Sequence, residues 1–171
     1  MRKSTRLVLL ALLMTVGTAL PVAAQDVSLG YQFQRLTHEG DSENYPAGAY
    51  FDVAVPLGGN EMLSVLGQFD WSRKSVGGKT ANLEDFAGGV RWTRMASPKA
   101  NVYIQGVAGG IHHTGGETGT NFTAGADGGV TTPIKGYYDA LFQIGYRFIR
   151  DPGANLNSLH IVVGIRVHVK K

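Results

Sequence analysis

YDALFQIGYRF, residues 138–148, alternates along its whole length. Tyr138, Ala140, Phe142, Ile144, Tyr146 and Phe148 share one face; Asp139, Leu141, Gln143, Gly145 and Arg147 share the other. A period of two, apolar against polar, is the signature of a strand that divides two unlike environments. SLHIVVGIRVHV, residues 158–169, repeats it. Leu159, Ile161, Val163, Ile165, Val167 and Val169 oppose His160, Val162, Gly164, Arg166 and His168.

Upstream, the same period returns six more times. The sequence predicts strands over 26–37, 47–57, 61–73, 82–95, 100–113 and 121–132, ahead of 137–149 and 158–169. The intervening segments are turn-rich: 38–46, 58–60, 74–80, 96–100, 114–121, 133–136 and 150–157. Pro46, Pro56, Pro98, Pro133 and Pro152 fall in these breaks or at strand ends, where a missing N–H costs least. In the first strand Val27, Leu29, Tyr31 and Phe33 oppose Ser28, Gly30, Gln32 and Gln34. In the second, Phe51, Val53 and Val55 oppose Tyr50, Asp52 and Ala54; in the third, Leu63, Val65, Phe69 and Trp71 oppose Ser64, Gln68, Asp70 and Ser72. Phe86, Val90 and Trp92 lie opposite Asp85 and Arg91, and Phe122, Ala126 and Val130 lie opposite Thr123 and Asp127. The strand at 100–113 leaves its facing open: Val102, Ile104 and Ala108 compete with Tyr103, Val107 and Ile111.

The first 24 residues read differently. Arg2, Lys3 and Arg6 precede the apolar run 7–19; Pro21 then breaks it and Val22-Ala23-Ala24 supplies small residues. That order predicts a cleaved secretory signal peptide over 1–24 and a β-domain over 25–171. The segment also accounts for the basic sequence pI of about 9.2. Without its three basic residues, thirteen basic side chains face thirteen acidic ones, so no nucleic-acid footprint remains. There is no cysteine, which excludes disulfides, thiolate metal sites and a thiol nucleophile.

Two architectures use eight alternating antiparallel strands. A soluble ligand-binding barrel of the lipocalin kind points its apolar face inward. A transmembrane barrel points it at lipid and keeps a polar lumen. Three features favour the second. Lys74, Lys79, Lys99, Lys135, Lys170 and Lys171, all the lysines after residue 24, avoid the strand faces, where a watery sheet surface would use them. Aromatics crowd the apolar faces; eight such faces would overfill an interior only just wide enough for side chains. Phe33, Phe69, Trp71, Trp92, Tyr138, Tyr146 and Phe148 are the candidate lipid-interface aromatics. Finally, each predicted strand reaches the 9–11 residues needed to cross a bilayer at a tilt.

The signal peptide, the eight amphipathic strands and segments such as FAGGVRW (86–92) and LFQIGYRF (141–148) resemble the small outer-membrane β-barrels of the OmpA-like and OmpX-like kind. The resemblance covers nearly all of 25–171. It implies an all-β fold, an eight-stranded up-and-down transmembrane barrel in the outer membrane of a Gram-negative cell. Implied partners are outer-membrane lipid, lipopolysaccharide and the barrel-assembly machinery. The oligomeric state stays open. Such barrels usually end on an aromatic residue, whereas this chain ends Val167-His168-Val169-Lys170-Lys171. Export places both ends of the barrel on the periplasmic side, with 38–46, 74–80, 114–121 and 150–157 facing outward.

The expected lumen collects Asp52, Asp70, Asp85, Asp127 and Asp139 with Arg91, Arg147 and Arg166. Buried charges must pair, so these predict an internal network that plugs the barrel and fixes register. Asp139 and Arg147 are eight residues apart and cannot reach each other; Arg166 on the next strand is the expected partner of Asp139. His38 and His160 with Glu39, Asp41 and Glu43 offer at most a loose metal site, and no metal is expected. His112-His113-Thr114 resembles the His-x-Ser of outer-membrane lipid A deacylases, with Thr at the nucleophile position and Glu117 the nearest carboxylate. The sequence therefore points to a barrel with neither catalytic residues nor cofactor. A soluble periplasmic ligand-binding barrel and a lipid A-modifying hydrolase are the alternative readings.

Overall fold

The computed structural model describes residues 25–58, 60–115, 118–150 and 155–169. The expected signal peptide at 1–24 lies outside the described residues, as do Glu117 and Lys170–Lys171. The described chain is β1 (Gln25–His38), β2 (Asp41–Tyr45), β3 (Ala47–Leu57), β4 (Asn60–Val76), β5 (Lys79–Ser97), β6 (Ala100–Thr114), β7 (Gly119–Lys135), β8 (Tyr138–Arg150) and β9 (Asn155–Val169). From β3 to β9 each strand pairs antiparallel with the next along the chain. β1 then pairs with β9 from Gln25↔Val169 to Thr37↔Asn157. This seam closes the sheet into a barrel, which pairs the first and last strands that would otherwise be open edges.

β2 and β3 make one stave of the eight. β1 pairs with both: Gln34↔Tyr45 to one side of Pro46 and Tyr31↔Ala49 to the other. The register slips by one residue across the proline, which has no N–H to keep the ladder. The slip reverses the facing, so Tyr45 turns inward although Ala47 and Ala49 turn out.

The hairpins at one end are tighter than the sequence suggests. Segments 38–46 and 74–80, expected as breaks, are almost entirely strand, and only Glu39-Gly40 and Gly77-Gly78 turn. All four have positive φ, at 45° and 99° in the first turn and 57° and 77° in the second. Two left-handed residues match the twist of flanking strands, which lets pairing run to the turn itself. β7 likewise begins at Gly119 and β9 at Asn155, inside the segments expected as 114–121 and 150–157.

The facing assigned to each alternating strand is the one observed. β8 alternates exposed and buried from Tyr138 to Arg150 without a break. β6, open on sequence, turns Tyr103, Val107 and Ile111 inward and leaves Ile104 62% exposed outside. The result is an inverted molecule. The largest fully buried side chains are Arg91, Arg147 and Arg166, while Val163 is 57% exposed on the outer wall.

The charged lumen as candidate functional site

Inward positions of β3 to β9 converge on the barrel axis in two linked groups. In the first, Arg91 from β5 reaches past β4 to Asp52 on β3 at 2.8 Å. Asp52 also accepts from the Tyr50 hydroxyl at 2.5 Å. Tyr50 and Tyr103 both lie within donating distance of Gln143 Oε1, at 3.2 and 2.7 Å. The guanidinium groups of Arg91 and Arg166 lie over the Tyr103 ring, 4.8 and 4.6 Å from its centroid. An aromatic ring attracts a cation placed over it without adding a charge.

In the second group, Asp127 on β7 takes a two-pronged bond from Arg147 on β8, with Nη2 donating to Oδ2 at 3.0 Å. His160 Nε2 lies 3.4 Å from Asp127 Oδ1, and Arg147 Nε lies 3.7 Å from Asp85 Oδ2. Asp70 faces Asp85 directly across β4 and β5 and accepts from Gln68 Nε2 at 2.6 Å. Gln105 ties the groups together. It accepts from Arg91 Nε at 2.7 Å and donates to Gln68 at 3.0 Å and Asp127 at 2.6 Å. Bidentate geometry and shared amides are what allow charge to persist away from water.

Gly145 makes room for this second group. A Cβ at that position would collide with Asp127 Oδ1 and with His160 Nε2. The sequence placed Gly145 on the inner face and gave it no role; its signal was a glycine inside an otherwise regular strand. We expect Gly145→Ala to displace the Asp127–His160 contact and to lower stability by about 1–3 kcal/mol. Urea titration of the folded barrel measures this; an unchanged midpoint would show that the space is not needed.

The expected Asp139–Arg166 ion pair is not formed. The two are register partners on β8 and β9, as the sequence suggested. Arg166 instead extends over Tyr103 and donates from Nε to Ser28 at 3.1 Å. Asp139 is taken by His168, whose Nε2 lies 2.8 Å away while its Nδ1 lies 2.7 Å from Asp26. The ring thereby links β1, β8 and β9 at the end of the closing seam. His168 is about a third exposed, so solvent discounts the link. Asp139→Ala and His168→Ala are expected to couple by about 0.5–1 kcal/mol in a double-mutant cycle, and Asp139→Ala with Arg166→Ala less. Strict additivity of the first pair would dissolve the link.

Among the described residues the loose metal site is not assembled, and Glu117 of the hydrolase reading lies outside them. His160 pairs in register with Gln34, and His38 with Asp41, four residues further along β1. About 13 Å of strand separates them. His38 lies 3.9 Å from Glu39, and among the described residues no group of three or more His, Asp or Glu could hold a metal. His112 faces outward with Nδ1 3.0 Å from Thr120 Oγ1, whereas His113 sits opposite inward Leu83. Thr114 is opposite Asn82, so it shares the outward face of β6 with His112.

The candidate interface aromatics all face out. Tyr138 adjoins the turn at Gly136-Tyr137, and Trp92 faces the same half of the barrel. Phe69 lies mid-strand against Phe86, ring centroids 4.7 Å apart. Phe33, Trp71, Tyr146 and Phe148 lie toward the opposite end.

No family model and no curated protein sequence matches the chain. Solved structures do. Neisserial surface protein A superposes with a TM-score of 0.72 at 12% identity, over 85% of this chain and 97% of that one. Ail, the attachment invasion locus protein of Yersinia pestis, gives 0.55 at 13% identity, over 84% and 98%. The outer membrane protein OprG from Pseudomonas aeruginosa gives 0.55 at 7% identity, over 87% and 97%. The fold is that of the small outer-membrane barrels. At these identities the likeness carries architecture and not role.

Proposed function

We propose that this chain is an outer-membrane β-barrel without catalytic activity, with its apolar wall in lipid and its lumen plugged by the charge network. One observation carries the reading: three arginines are the largest fully buried side chains while Val163 and Ile104 face outward. A soluble ligand-binding barrel needs the reverse arrangement. The lumen network supports a structural or surface-interacting role, because Arg91, Arg147, Arg166 and their partners fill the axis where a solute would pass. Lipid, lipopolysaccharide and the assembly machinery are the partners such a barrel requires, and export through the segment at 1–24 the route that delivers it.

Fractionation of expressing cells tests this. The expected result is a band in the outer-membrane fraction that migrates differently before and after boiling. Release of the folded protein into the periplasmic fraction without detergent would overturn it.

A further inference from the structure

The polar lumen does not continue to the outer end. Above Ser72, Thr123, Arg147 and Ser158, the inward positions become Leu36, Tyr45, Leu83, Ile111, Ile149 and Leu156. These side chains surround a cavity of about 200 Å³ that also touches His113 and Asn121. A second hollow of about 300 Å³ shares Tyr45 and His113 with it and is bordered by Glu43 and Lys74. Plugging the barrel does not call for this layer, since the charge network already fills the axis beneath it.

The chemistry of the walls defines what would fit. Lys74 is paired with Glu43 and lies 5.1 Å from the centroid of the Tyr45 ring, so the charges bordering the second hollow offset each other. Besides Tyr45, His113 and Asn121 are the polar residues among the apolar walls. Gly119 stands opposite His113, and a Cβ there would come within 2.8 Å of its Nε2, so the glycine keeps the place of the ring open. An apolar cavity of about 150 Å³ is already large enough to hold benzene.

We infer that this outer mouth binds a small uncharged molecule: a ring or short chain with one hydroxyl. Its apolar body lies among Leu83, Ile111, Ile149 and Leu156, and its hydroxyl meets His113 or Asn121. The inference goes beyond the structural role proposed above, and rests on the shape and lining of the mouth.

Phenol titration followed by isoleucine methyl NMR, with the full barrel in lipid nanodiscs, tests it. Ile111 and Ile149 face the cavity; Ile104, Ile144 and Ile165 face outward and report phenol dissolved in lipid. The expected result is saturable shifts at Ile111 and Ile149 with linear drift at the outward three. Benzene, lacking the hydroxyl, is expected to bind about three- to tenfold more weakly than phenol, the value of one hydrogen bond. Linear drift at all five isoleucines would overturn the site and leave the apolar layer as a closed cap. Equal affinities for phenol and benzene would overturn the role given to His113 and Asn121. The titration needs no variant, so a folding defect cannot obscure it.

Discussion

Val163→Arg is expected to cost the barrel about 2–4 kcal/mol of stability in lipid vesicles. Val163 is mid-strand in β9, faces out, and pairs with Tyr31 and Phe142, which are also exposed on the outer wall. An arginine there must desolvate, or drag water and headgroups inward. Nearer the bilayer surface the same change costs about 0–1 kcal/mol. Thr37 provides that comparison, being exposed at the outer end of β1 against Ser42. Urea midpoints of the two variants, read from the heat-modifiable band, measure the difference. Gly164 would be a poor inward control, because any Cβ there collides with the backbone of Leu29 and Gly30. Equal costs for Val163→Arg and Thr37→Arg would mean that the outer wall does not meet a bilayer.

Arg147→Ala is expected to be at least as damaging, for a different reason. Arg147 is 1% exposed, holds Asp127 by two bonds, and approaches Asp85. Its loss strands two carboxylates inside the barrel. Breaking a buried pair from one side costs about 3–5 kcal/mol, and any water entering the lumen moves the cost to the low end. Arg150, three positions further along β8 and so facing outward, is exposed and serves as the control. Arg150→Ala should leave the temperature at which the folded band disappears nearly unchanged, whereas Arg147→Ala should lower it. Adding Asp127→Ala to Arg147→Ala should restore part of the loss, because one stranded charge is removed. Equal behaviour of the Arg147 and Arg150 variants would mean that the lumen network contributes nothing.

The strands and their facing were legible because lipid and a polar lumen impose a period of two on every stave. The run 138–148 shows it without exception. Legibility stopped where a contact skips a neighbour. Arg91 finds Asp52 two staves away, and Arg166 prefers Tyr103 and Ser28 to the Asp139 beside it. Alternation states which side of the wall a residue occupies but not how far its side chain reaches across the axis. Pro46 hid another feature: the one-residue slip there turns Tyr45 inward to join Leu83, Ile111 and Ile149. Leucine and isoleucine at inward positions carry no mark in sequence that separates an apolar mouth from an irregular strand end. The hairpin ends were underestimated for a related reason. Polar turn-rich residues at 74–80 still pair, because Gly77-Gly78 supplies the left-handed turn the twist demands.

The central claim is that the apolar wall lies in lipid, and the chain's two tryptophans report on it directly. Trp71 and Trp92 both face outward, toward opposite ends of the barrel. Fluorescence of the unmodified protein in vesicles, measured with brominated lipids and then with aqueous acrylamide, decides the matter. Strong quenching by the brominated chains and weak quenching by acrylamide is the predicted result. Free quenching by acrylamide with no response to bromine would put that wall in water and contradict the account.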